Sequence, residues 1–199
     1  MVWIGFYFFL QTQIVSNSIK PLVYFAFLFS WLGDIFLMFQ GVNPLFFIIV
    51  LASFLVSQIK YILVFNKAID NSKSQKSIFK AMPYLILPFL FYGVFFYILL
   101  FPYLDMILKI AVLFYAIALV GMSATAFNRK KMTSKKSWLL VFIGAILFVI
   151  SDSLIGVNKF LFSEPLTYDE LLIMGTYIPA QYLIMMCLVS HIKIDSWSH

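Results

Sequence analysis

Seven long apolar runs separated by short polar or charged clusters dominate this chain. They fall at about 2–18, 21–39, 43–65, 81–101, 103–127, 138–157 and 169–192, each near the roughly 20 residues a helix needs to cross a bilayer. The runs are continuously apolar and do not alternate. Lipid accepts only backbones whose polar groups are satisfied internally, so the pattern predicts helices and not a barrel. The expected fold is all-α, a polytopic transmembrane bundle of about seven spans forming a single domain over 1–199. Composition agrees: the 199 residues are 63% hydrophobic and 11% charged, with a mean hydropathy of +1.00, outside the range of soluble domains. The first run lacks a basic leading segment and a small-residue cleavage site, so it reads as a span and not as a secretory signal.

The charges sort by connection. Lys20 lies between the first two runs, Lys67, Lys73, Lys76 and Lys80 between the third and fourth, and Arg129, Lys130, Lys131, Lys135 and Lys136 between the fifth and sixth. With Lys60 and Lys193 they put twelve of the fourteen basic residues on one side, leaving Lys109 and Lys159 opposite. The excess of basic residues in cytoplasmic loops predicts an outer N-terminus and a cytoplasmic C-terminus. Seven spans satisfy that alternation, whereas an eighth requires half-spans hidden in one run. The net charge of +6 is thereby a matter of topology and anionic lipid, not of nucleic acid, which needs a solvated basic face. Pro83, Pro88 and Pro179 are expected to kink or loosen their spans.

Two acids interrupt the apolar runs: Asp34 in FSWLGDIFLMF and Asp152 in LFVISDSLIG. A carboxylate at bilayer depth is costly and marks a functional site by default. Counting about 1.5 Å per residue from Pro21 and from Trp138 places both roughly 20 Å from the basic side. Each follows a small residue, Gly33 or Ser151, that permits close approach, and Ser30 precedes Asp34 by one turn. Tyr177 and Gln181 share a helix face, and Ser53, Ser57, Gln58, Tyr61, Tyr115 and Ser123 add polar groups whose plain role is to join helices. The single cysteine, Cys187, has no internal disulfide partner, and His191 and His199 lie far from either aspartate. No zinc-type ligand set and no serine or cysteine with a nearby base is apparent, so neither a metal nor a cofactor is expected. Carboxyl acid–base chemistry and proton-coupled transport through an aspartate relay remain.

The ordered set Lys20-Pro21, Phe29-Ser30-x-x-Gly33-Asp34, Gln58-x-x-Tyr61, Tyr115-x6-Met122, Gly144-Ala145-x-Leu147-Phe148-x-x-Ser151-Asp152 and Tyr177-x3-Gln181 resembles the YhhN-type lysoplasmalogenase family over nearly the whole chain. That resemblance implies a multi-pass hydrolase of a bacterial cell membrane. Its substrate is a lysophospholipid drawn from among the bilayer lipids, whose vinyl ether is cleaved to a fatty aldehyde and a glycerophospho-alcohol. It also implies that Asp34 and Asp152 are catalytic, with Lys20, Ser30, Gly33, Tyr61, Tyr115, Ser151, Tyr177 and Gln181 binding substrate or lining the site. A histidine often stands in the family where this chain has Gln58, which leaves Gln58 outside the expected site. Which aspartate is the acid stays open at this stage.

Overall fold

A computed structural model of the chain describes residues 1–13, 17–69, 77–162 and 167–197, with side chains described as far as residue 192. The described residues form helices joined by short turns: α1 (Val2–Thr12), α2 (Lys20–Met38), α3 (Pro44–Lys67), α4 (Ile78–Ala81), α5 (Leu87–Leu100), α6 (Met106–Asn128), α7 (Lys135–Phe160) and α8 (Asp169–Trp197). Six segments among the described residues are long and apolar enough to cross a membrane: four lie within single helices, one is α6 with the 3-10 turn after it, Met106–Lys131, and one is α5 with the 3-10 turns that flank it, Pro83–Tyr103. The first run is the exception: α1 has 11 residues, about 16 Å of helix against about 30 Å of hydrocarbon. The expected seven spans are therefore six of spanning length and one shorter apolar helix.

Local chemistry explains the helix starts. Asn43 accepts a hydrogen bond from the Leu45 amide at 2.9 Å and precedes Pro44 at the first turn of α3. Asp105 caps α6 through the Leu108 amide at 2.9 Å, and Ser134 caps α7 through the Ser137 amide at 3.2 Å. These are the residue types that satisfy otherwise orphaned helix donors. Two prolines depart from the kinks expected of them. Pro83 opens a 3-10 turn and Pro88 lies in the first turn of α5, where a proline has no hydrogen bond to lose. Pro179 does lie inside α8, which continues through it.

The most extensive packing joins α7 to α8 and α2 to α3, with α6 against α3 and α1 against α8. Gly144 makes the first pair possible: a Cβ there would lie 2.9 Å from the Ala180 carbonyl and 2.8 Å from Ile184 Cγ1. α3 and α8 are the most buried spans, and α5, packed chiefly on α6, is the least. One end of the bundle gathers the basic residues: Lys20 begins α2, Lys67 ends α3, Arg129–Lys131 follow α6 and Lys135 begins α7. Arg129 pins that end. It is 2% exposed, and its Nε and Nη2 donate to the Ala68 carbonyl at 3.2 and 2.6 Å, closing the C-terminus of α3 onto α6.

Candidate active site

Asp152 is buried on α7, eight residues before the helix ends at Phe160. Its Oδ2 accepts two hydrogen bonds, from the Tyr115 hydroxyl of α6 at 2.6 Å and from Gln58 Nε2 of α3 at 3.1 Å. Its Oδ1 is buried with no hydrogen-bond partner, and so is Gln58 Oε1. A carboxyl held by two donors at one oxygen has its ring of rotation fixed and presents the other oxygen in a set direction. Tyr92 and Ser153 pair beside it at 2.5 Å.

Asp152 also lines a pocket between α3, α5, α6 and α7, together with Phe54, Tyr92, Phe96, Leu100, Tyr115 and mostly aliphatic or aromatic neighbours. The pocket is partly open at its mouth, and its lining is almost wholly apolar. Asp152 is its one acidic wall residue. Buried polar atoms are almost always paired in proteins, so an unpaired oxygen on the one acidic residue of an apolar pocket marks this place for a ligand or water.

Asp34 has different surroundings. It is half-buried on α2, four residues before Met38, and does not line that pocket. Between the two acids stands Phe54: a Cβ on Gly33 would lie 2.9 Å from the Phe54 ring, and the same ring forms part of the pocket wall beside Asp152. Tyr177 of α8 packs edge-on against Phe54 and Phe148, with centroids 5.9 and 5.6 Å away. Its buried hydroxyl has no hydrogen-bond partner and interacts electrostatically with both Asp34 and Tyr115. The two aspartates are not hydrogen-bonded to each other; Tyr177 is coupled electrostatically to Asp34 on one side and on the other to Tyr115, the residue that binds Asp152.

The other expected site residues divide. Tyr61, Gln181 and Ser30 form one buried chain on the Asp34 side: Tyr61 donates to Gln181 Oε1, Gln181 Nε2 donates to Ser30 Oγ at 3.2 Å, and Ser30 Oγ donates to Ser57 Oγ at 2.7 Å. Ser57 closes the chain on the Ala26 carbonyl at 2.9 Å, so the set also knits α2, α3 and α8. Ser151 donates to the Ile173 carbonyl at 3.2 Å, across the α7–α8 seam. Lys20 is remote from both acids: it lies fourteen residues, about 21 Å along α2, before Asp34, with Nζ on the Thr12 carbonyl. Gln58 is the residue that sequence reasoning set aside and the structure puts on an aspartate. Its position three residues before Tyr61 was the available signal. No group of residues able to hold a metal ion occurs among the described residues.

The comparisons with known proteins add one finding. No curated protein and no solved structure matches the chain. The YhhN family does match, over residues 1–188, a stretch that includes both aspartates and all the side chains described above, and the protein therefore belongs to the YhhN family.

Proposed function

We propose that the protein is a membrane-embedded hydrolase that opens the vinyl ether of lysoplasmalogen-type lysophospholipids, with Asp152 as the proton donor. Family membership and a helical membrane fold fit a membrane enzyme. The observation that carries the finer reading is Asp152 itself: a buried acid on the wall of an apolar pocket, with one oxygen anchored by Tyr115 and Gln58 and the other unpaired.

Acid opening of a vinyl ether starts with a proton delivered to the alkene carbon remote from oxygen. The π pair forms the new C–H bond and the adjacent carbon becomes an oxocarbenium ion. Asp152, with its proton on Oδ1, supplies that proton and becomes the counter-anion beside the cation, an electrostatic stabilisation that a dry pocket strengthens. Water then attacks the cationic carbon and gives a proton to Asp34 by way of the Tyr177 hydroxyl. The hemiacetal collapses when its O–H proton returns to Asp152 and Asp34 protonates the departing glycerol oxygen. Both carboxyls are thereby restored, and the products are an aldehyde and an alcohol. Two carboxyl groups flanking an oxocarbenium ion serve glycoside hydrolysis in the same way.

The test is aldehyde release from a lysoplasmenyl lipid by the purified protein in detergent. Release that is lost in Asp152→Asn is expected. Absence of release, together with proton-coupled flux in liposomes that depends on Asp34 and Asp152, would replace this reading with that of a carrier.

A further inference from the structure

The pocket runs along α7 from Asp152 to Phe160 and keeps an apolar wall throughout. At its far end the Phe47 and Phe160 rings meet edge-on, 5.5 Å between centroids, and Leu100 and Val112 close the sides. Eight residues of helix separate Asp152 from Phe160, about 12 Å. Half of a hydrocarbon core about 30 Å thick, the space one lipid chain fills, is about 15 Å. The length of the pocket therefore matches most of one chain.

Its width is set by α5. Gly156 faces Phe96 and Leu100 of that helix, and a Cβ at Gly156 would lie 3.2 Å from the Phe96 ring and 3.4 Å from Leu100 Cδ1. A side chain there fits only if the Phe96 ring and the Leu100 methyl give by a few tenths of an ångström. α5 is held close to α6 at Gly93, where a Cβ would lie 2.5 Å from Val120 Cγ2. The other face of α5 exposes Phe91, Val94, Phe95 and Ile98. This single helix is thus the partition between the pocket and the surrounding lipid.

From this geometry we infer that the α3–α5–α6–α7 pocket is a slot for one unbranched hydrocarbon chain whose head end lies at Asp152, and that Gly156 and Phe96 set the chain length it admits. The inference rests on the hydrolase reading for the identity of the reacting group, but chain binding is measurable without hydrolysis. Saturated lysophosphatidylcholines, which lack the vinyl ether, serve as probes. Their binding to the detergent-purified full chain is followed by titration calorimetry across a series of chain lengths, for wild type, Gly156→Val and Phe96→Ala.

Each buried methylene contributes about 0.8 kcal/mol, so displacing two of them changes affinity by roughly tenfold. Gly156→Val is expected to weaken long chains by about that factor relative to short ones, and Phe96→Ala to shift the preference toward longer chains. Phe96→Leu serves as the milder variant if Phe96→Ala does not fold. Equal changes at every chain length, or none in any variant, overturn the slot. A length-dependent shift in a protein that releases no aldehyde leaves the slot standing and removes the hydrolase reading alone.

Discussion

Gln58 Nε2 lies 3.1 Å from Asp152 Oδ2, ninety-four residues away in sequence and one helix away in space. The oxygen it reaches is the one that Tyr115 also binds. Both donors hold Oδ2, so they decide which oxygen is left for chemistry.

Removing either donor should slow the reaction more than it weakens binding. A hydrogen bond to a charged group is worth about 1.5–3 kcal/mol, which predicts a fall in kcat of roughly 10–100-fold for Tyr115→Phe and for Gln58→Leu, with KM little changed. The two act on one atom, so the double variant should lose less than the product of the single losses. Unchanged kcat in both single variants would show that Asp152 Oδ2 needs no anchoring and would undo the assignment of Oδ1 as the reactive atom.

The aspartates themselves are tested as a pair. Asp152→Asn keeps the shape and removes the proton donor, and Asp34→Asn removes the acceptor that lies beyond Tyr177. Each is expected to abolish aldehyde release while the protein still inserts, purifies as a single species and melts near the wild-type temperature. If Asp34→Asn retains activity, Asp34 belongs to the α2–α3–α8 polar chain and not to the reaction. Tyr177→Phe distinguishes the route between them: loss of rate at unchanged stability supports proton passage through its hydroxyl, and a wild-type rate rules it out.

Much of the architecture was legible because hydrophobic runs report spans directly. Pro44–Lys67, Met106–Asn128 and Lys135–Phe160 agree with the expected runs to within a few residues, and Asp34 and Asp152 stood out because carboxyls are costly in lipid. What stayed hidden depends on which helices are neighbours. In a soluble protein an apolar residue points inward, but in a membrane Phe54 and Phe96 on the pocket wall read the same as Phe91 and Phe95 facing lipid. Gln58 looked like one of several interhelical polar residues until α3 met α7. The first run reads as a short span, and α1 is shorter still than the run over 2–18, ending at Thr12 where the polar residues Gln11, Thr12 and Gln13 begin.

Gly144 offers a test of the fold that leaves the acids alone. α7 and α8 approach so closely there that an added Cβ would stand 2.9 Å from the Ala180 carbonyl, and a backbone atom cannot swing aside as a side chain does. Overpacking of this kind typically costs about 1–3 kcal/mol, so Gly144→Ala should lower the melting temperature in detergent measurably and Gly144→Leu should lower it further. Gly5 and Gly175 have no atom within 4 Å of an added Cβ; alanine at either should leave the melting temperature almost unchanged. A Gly144→Ala protein as stable as wild type would mean that the two helices are free to separate at this level.

Arg129 makes the last prediction, on the end of the bundle away from the pocket. Its guanidinium is buried against the Phe65 ring, 5.8 Å from the centroid, and delivers two hydrogen bonds to one carbonyl, that of Ala68 at the C-cap of α3. Helix C-termini leave carbonyls unsatisfied, and a cation placed there complements both the lone pairs and the dipole. Arg129→Met removes the charge and both donors while keeping much of the apolar stem, and should destabilise the protein by about 1.5–3 kcal/mol. Lysine keeps the charge but offers a single ammonium in place of a planar fork, so Arg129→Lys should recover less than half of that loss. Thermal unfolding in detergent decides the matter: full recovery by lysine would show that charge alone holds the α3 terminus, and no loss in Arg129→Met would show that the contact with Ala68 contributes nothing to holding α3 against α6.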